Sequence, residues 1–502
     1  MSERAFILPE PQLEFRHQQR VVHPRDGLAI FGPCDADLPS HPANISYGLV
    51  GTADGIAAFQ QFSAHITRPV LDEGKALNRR LWPVFPGFEA AFHAKWPSNP
   101  TSIFAIEPHL LNDAAVNRDP NFRAGTIADA YLEGIRRILA KDEEVGTIVC
   151  VVPDIVYSNC RPKSHVTGGV GSGISSDERR IRASGQTDLF DSYQPIHYQY
   201  SVDFRRHIKA RAMQSGKPIQ IVRESTLRLA DSVLSGERGL TPLSDRAWNL
   251  CLALYYKSGG KPWRLATARQ GVCYIGMAFR KTELREDSST ACCAAQMFLD
   301  DGDGMVFMGE YGPWYSPETK EYHLSGAAAN RLLAQALRSY QDLGGKPLRE
   351  VFLHCRSSID DEEYIGFRTA CPSSISLTGI RVRRESAGGL RFFREGKWPV
   401  LRGTYWPISH KTCFLWASGY SHRMGTYAGW ETPAPLRIDV QHGNADIEQV
   451  ARDILGLTKL NYNACRLGES QPVTVLFSDA VGEILVSNPL LRNPSSKFKF
   501  YI

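Results

Sequence analysis

Between residues 44 and 265 the chain alternates short apolar runs with amphipathic segments, and this rhythm constrains the fold more than any other feature. Ile45 to Val50 and Thr147 to Pro153 (TIVCVVP) are close to continuously apolar. A strand reads that way when both faces of its sheet are covered, as in parallel sheets flanked by helices. Ala53 to Ile66 reads as an amphipathic helix. Thr126 to Ala140 reads as another, with Ile127, Ala130, Tyr131 and Ile135 on one face. Thr101 to Glu107 adds a strand. The alternation predicts an α/β, Rossmann-like layer.

The last units of that series carry the most chemistry. Asp203 to Val222 (DFRRHIKARAMQSGKPIQIV) reads as a short helix, a Gly-Lys-Pro break and a buried strand. Arg205 lies one helical turn before Lys209, and Gln220 stands on the strand that follows. Two cations and an amide therefore converge from adjacent elements, the donor set that a terminal phosphate requires. Downstream, Asn249 to Trp263 (NLCLALYYKSGGKPW) reads as a buried helix ending at Lys257. A lysine in a last turn before glycines is first of all a helix-stop signal.

From about residue 266 the rhythm changes. Gly271 to Arg280 (GVCYIGMAFR) reads as a strand, and Ala291 to Phe298 and Met305 to Tyr311 read as antiparallel neighbours joined by the turn DDGDG. Ser325 to Leu343 is a long helix, Glu350 to Cys355 a buried strand and Asp360 to Ala370 a helix. Upstream, Gln12 to Arg16 reads as a strand, and HPRDGLAIFGP as a short apolar run between two turns. The Gly-rich stretch Gly169-x-Gly171-x-Gly173 has neither the spacing nor the strand–turn–helix frame of a dinucleotide loop.

Composition excludes several classes. The N-terminal stretch has no signal-peptide apolar run, and nothing approaches the roughly 20 apolar residues of a membrane span. The expected location is cytoplasmic. Eleven cysteines without zinc-like spacing read as reduced, mostly buried thiols. A net charge of +5 is compatible with nucleic acid without demanding it.

Residues 401–485 hold the most specific blocks: RGTYWPISHKTCFLWASGYSHRMGTYAGWETPAPLRI and DILGLTKLNYNACRLGESQPVTVLFSDAVGEIL. With KPWRL, CCAAQMFLDDGDG and GEYGPWY they resemble the PIWI domain of prokaryotic Argonautes, and the Lys209, Gln220 and Lys257 set resembles the guide 5′-phosphate pocket of the MID domain. The chain is similar to short prokaryotic Argonautes, most of all those that pair with a TIR–APAZ protein. The resemblance implies a Rossmann-like MID domain plus an RNase H-like PIWI domain without a PAZ domain. The implied boundaries are an N-terminal segment over 1–40 packing on the PIWI lobe, MID over 41–265 and PIWI over 266–502.

The resemblance further implies that Arg205, Lys209, Gln220 and Lys257 bind a guide 5′ phosphate, with Lys459 in the helix-forming LTKLNYN block as a second-tier contact. Arg205 departs from the family, which places an aromatic ring or His there. A Mg²⁺ ion would bridge the phosphate, Gln220 and the carboxylate of Ile502. Family positions for the cleaving carboxylates are occupied by Ala278, Cys355 or Arg356, and Asn461, which implies a catalytically dead PIWI site. The implied partners are a 5′-phosphorylated guide RNA, a single-stranded target DNA and an APAZ-containing effector. That effector would be of TIR type first and sirtuin-like second, with higher oligomers on activation. Its NADase would act in anti-plasmid or anti-phage defence. The alternative is an RNase H-like nuclease with a rearranged metal site built from Asp300, Asp301, Asp303 and Glu310. A small-molecule α/β enzyme is disfavoured because no nucleophile–base pair stands out.

Overall fold

The structure is a computed structural model that describes residues 4–71, 80–164, 166, 174–185, 193–229, 241–281, 290–298, 304–342, 346–385, 389–427, 429, 431–488 and 494–502. The apolar runs of the first half form a four-stranded parallel sheet in the spatial order Ser102–Ala105, Tyr47–Gly51, Thr147–Val152, Ile219–Arg223. Tyr47–Gly51 and Thr147–Val152 are buried at every position, which accounts for their uninterrupted apolar sequence. Helix Pro120–Leu139 lies across this sheet, capped by the Asp119 carboxylate, which accepts from the Asn121 and Phe122 amides.

The second half forms a nine-stranded mixed sheet among the described residues. Its order is Phe6–Ile7, Thr404–Pro407, Thr412–Leu415, Leu436–His442, Ser376–Arg384, Glu350–Cys355, Val272–Lys281, Thr290–Phe298, Gly304–Pro313. Glu350–Cys355 runs parallel to both of its neighbours, and the other pairings are antiparallel. Helices Gly326–Asp342 and Asp361–Ala370 bury their apolar stripes against one side. Helix Val473–Leu485 packs on Val272–Lys281 and Thr290–Phe298 from the other.

Gly276 sits where that helix meets the sheet. A methyl group there would fall 1.8 Å from the Thr474 carbonyl oxygen, so strand and helix backbones touch without an intervening side chain.

The N-terminal segment differs from its sequence reading. The HPRDGLAIFGP stretch is a helix, Pro24–Ile30, rather than an apolar run between turns. Pro24 starts it, and the Arg25 amide donates to His23 Nδ1 at 3.2 Å. The helix is held from outside: Arg25 is buried, pairs with Asp245 and donates to the Cys465 carbonyl at 2.7 Å. The DDGDG turn, with Asp300, Asp301 and Asp303, and the Gly169–Gly173 stretch lie outside the described residues.

Gly276→Ala is expected to lower stability by about 1–3 kcal/mol, because the helix backbone must retreat from the strand. Urea denaturation measures it. An unchanged midpoint would mean that the helix gives way at no cost.

Candidate anion-binding site

At the carboxyl ends of strands Thr147–Val152 and Ile219–Arg223 the parallel sheet opens into a cleft of about 630 Å³. In open α/β sheets this end is where ligands bind. Arg161, Arg205, Arg223 and Arg246 line the cleft, against one carboxylate, Asp203. Gln220, Asn249 and Asn463 add neutral polar groups.

Helix Phe204–Ala212 presents the first cations. The Asp203 side chain caps it by accepting from the Arg206 amide at 3.1 Å. Arg205, in the first turn, is exposed to the cleft and makes no ion pair or side-chain hydrogen bond among the described residues. Lys209, one turn on, is only 3% exposed and donates to the Tyr501 carbonyl at 3.1 Å. Lys257 ends helix Leu243–Lys257 at 1% exposure and donates to Gln220 Oε1 at 2.6 Å and the Ile219 carbonyl at 2.9 Å. The Gln220 amide in turn donates to the Ile221 carbonyl at 3.1 Å. The structure therefore joins Lys257 directly to Gln220, sets Lys209 against the chain beside Ile502, and leaves Arg205 at the open side.

Both lysines meet only neutral oxygens among the described residues. Burial, and then the charges of Arg205 and Lys257, holds the Lys209 ammonium well below its ordinary range. Burial, and then Arg205, pushes Lys257 down to about 7. Converging cations without a carboxylate leave a deficit of negative charge that an anion would fill.

Ile502 is buried at 4% exposure, anchored through Tyr501 and through Lys499, whose ammonium donates to the Lys257 carbonyl at 3.3 Å. The one carboxylate that lines the cleft with Gln220, Asp203, is engaged as the cap of its helix, and Gln220 Oε1 is already bonded to an ammonium. Among the described residues no grouping of three His, Cys, Asp or Glu could hold a metal ion. This donor set fits an anion by itself and fits a divalent cation only in the company of that anion.

Lys459 is placed elsewhere. Helix Ile447–Leu457 ends before it, so LTKLNYN is a turn rather than a helix. The Lys459 ammonium is buried against the N-terminal segment, donating to Glu10 at 2.9 Å, the Pro11 carbonyl at 2.7 Å and the Val22 carbonyl at 2.6 Å. Its three donors are used, which removes it from the phosphate set.

The implied cleavage positions gather around helix Val473–Leu485, with one exception. Ala278 is buried in its strand, opposite Ala294, and Cys355 is buried in register with Met277. Arg356 follows at the surface, donating to Gln471 at 2.9 Å and pairing with Asp479. Asn461 lies in the turn instead, donating to Glu469 at 2.7 Å. A carboxylate that stands beside these strands is Asp479, on the helix that touches Gly276, and Arg280 pairs with it at 3.0 Å. Glu310, from the alternative nuclease set, is half exposed in a two-pronged pair with Arg331 at 2.8 Å.

Sequence reading missed Asp479 and the cleft arginines other than Arg205. Gly276 inside an apolar strand was the available signal for the first, and Arg223 at the end of a buried strand for the second.

No protein-family model matches the chain, and no curated protein matches it. Solved structures do. Clostridium butyricum Argonaute bound to a guide DNA with a 5′ deoxycytidine and a 19-mer target DNA superposes with a TM-score of 0.62 at 12% identity, over 99% of this chain and 55% of that one. The fold is Argonaute-like. Aa-Ago with externally bound siRNA gives 0.56 at 13% identity, over 98% and 55%. A. aeolicus Argonaute gives 0.56 at 12%, over 100% and 56%. The chain thus spans about 55% of the length of the Argonautes it matches, as a Rossmann-like MID layer joined to an RNase H-like PIWI layer. No described helix is long and apolar enough to cross a membrane.

An anion in this cleft should draw a proton onto Lys257. Without the anion its ammonium is half deprotonated at about pH 7, and with it the charged form is favoured. Between pH 7 and the ordinary lysine range the bound state holds more protons, so affinity is expected to fall as pH rises, by up to about tenfold per unit for each proton taken up. A phosphate monoester is already dianionic there, with its second pKa near 6. Titration calorimetry in buffers of different ionisation enthalpy reads the proton uptake directly. Binding at pH 8.5 without it would contradict this account of Lys257.

Proposed function

We propose that the chain is a guide-directed recognition module that holds the 5′ phosphate of a guide RNA at the cleft lined by Arg205 and Gln220, with Lys209 and Lys257 buried behind that lining, and presents the guide for pairing with single-stranded target DNA. The single observation that carries the reading is the pair of buried lysines that converge with Arg205 and have no carboxylate partner among the described residues. Arg161 adds charge at the mouth, where the next backbone phosphates would run, while Arg223 is paired with Asp154 at 2.8 Å. Specificity would come from base pairing, with the protein reading backbone and shape. A Mg²⁺ ion belongs to this proposal only as a companion of the phosphate. Gln220 Oε1 and an oxygen of Ile502 would hold it, and it would supply charge neutralisation.

In this reading the chain cleaves nothing. Two guanidiniums, Arg280 and Arg356, occupy Asp479, and the buried Glu363 near Cys355 accepts from the Leu324 amide at 3.3 Å, whereas a metal pair would need several free acids. Target pairing would instead be relayed to an APAZ-containing partner with a TIR-type NADase, in defence against plasmid or phage. Its support is the likeness of the FLWASGY, TYAGWETPAPL and LTKLNYN blocks to short Argonautes of that kind. Loss of NAD⁺ on adding complementary DNA to the guide-loaded complex tests the relay. Metal-dependent cleavage of the target by the chain alone would favour the nuclease alternative.

Lys209→Ala with Gln220→Ala is expected to weaken binding of a 5′-phosphorylated RNA by several kcal/mol, at about 1.5–3 kcal/mol per charge-assisted hydrogen bond. Filter binding with the protein's thermal midpoint measured alongside decides it. Unchanged affinity would sink the pocket assignment.

A further inference from the structure

A row of alternating charges crosses from the large sheet to the small one. Arg356 pairs with Asp479, and Asp479 with Arg280 at 3.0 Å. Arg280 approaches Glu483 at 3.5 Å, and Glu483 pairs with Arg206 at 3.0 Å. Asp479 and Glu483 are four residues apart, so both project from one face of helix Val473–Leu485. Arg206 belongs to helix Phe204–Ala212, the helix that carries Lys209.

A second cleft of about 320 Å³ opens along this row. Arg206, Arg280 and Lys281 line it with one carboxylate, Glu483, and the ring pair Phe279 and Tyr322, stacked at 5.6 Å, forms part of its wall. Arg356 is 47% exposed and Arg280 32%, whereas Asp479 is 16% exposed. The guanidiniums are therefore the accessible members, and the carboxylate lies behind them. Arg280 is shared between Asp479 and Glu483 and Arg356 between Asp479 and Gln471, and the charge surplus lies in the cleft lining, with three cations to one carboxylate. Guanidinium is the side-chain group best matched to a phosphodiester.

We propose that Arg280 and Arg356 form a clamp for a backbone phosphate of the target strand, at the place where a slicing centre would hold it through carboxylate-bound metal ions. The clamp rests on the guide-loading reading and gives that reading a second, independent hold on the nucleic acid. Asp479 acts as a positioning residue: it orients both guanidiniums and competes with the phosphate for them. No bond is made or broken. The site retains the strand rather than cutting it.

The test uses the full chain loaded with a 5′-phosphorylated guide RNA and measures affinity for complementary single-stranded DNA against salt. Arg280→Gln with Arg356→Gln is expected to leave guide affinity unchanged and to lower target affinity about tenfold or more. The slope of log affinity against log salt should fall by about 0.7–0.9 for each phosphate that the variant no longer neutralises. Asp479→Asn, which frees both guanidiniums, is expected to raise target affinity about threefold, a direction that a merely structural ion pair would not give. Wild-type target affinity and slope in the double variant, or weakened target binding in Asp479→Asn, would overturn the clamp while guide loading stands. Wild-type protein that binds no guide would instead overturn the guide-loading reading.

Discussion

Lys209 and Lys257 are buried to 3% and 1% exposure, and among the described residues they meet only carbonyl and amide oxygens. Burying an ammonium without a counter-charge is costly, and the cost appears as the depressed proton affinity of both groups. Much of the surrounding architecture keeps them there. The parallel sheet fixes Gln220 between Lys257 and the strand edge, the N-capped helix Phe204–Ala212 holds Lys209 inward, and the Tyr501 carbonyl closes the floor. Buried ammonium groups arranged this way hold unfavourable electrostatics that loss of a proton or arrival of an anion relieves.

A contrast separates these lysines from two other buried cations. Lys459 is equally hidden, but Glu10 pairs with it and with Arg402, and two carbonyls take its remaining donors. Arg25 has Asp245. Those cations are neutralised within the fold and join the N-terminal segment to the rest of the chain. Burial alone does not set Lys209 and Lys257 apart; Arg123 too is buried against carbonyls only, and what distinguishes the lysines is their convergence with each other and with Arg205.

Much of the α/β layering was legible in the sequence, because fully buried parallel strands announce themselves as unbroken apolar runs and amphipathic helices by their period. The placement of Arg205 and Lys209 on one helix, Gln220 on the next strand and Lys257 at a helix end was legible in the same way, whereas their grouping as a phosphate set came from the likeness to the MID pocket. What was not legible depended on partners distant in sequence. The helix Pro24–Ile30 reads locally as turns around Gly27 and Gly32-Pro33, and is held by Asp245 and Cys465, far along the chain. Lys459 carries no local sign that Glu10 will take it. Asp479 looks like an ordinary helical acid until Gly276 allows its helix to settle on the strand and bring it to Arg280. Element type is encoded locally, whereas the partner of a charge is set by the packing.

The central claim is that the buried, unpaired cations recognise a terminal phosphate. The most direct measurement compares the affinity of one short RNA carrying a 5′ phosphate with that of the same RNA carrying a 5′ hydroxyl, at neutral pH with Mg²⁺. Two or more charge-assisted hydrogen bonds correspond to a preference of about a hundredfold or more for the phosphate. Equal affinity for the two ends would contradict the account, and would mean that the charge deficit around Lys209 and Lys257 is filled by something other than a nucleic-acid end.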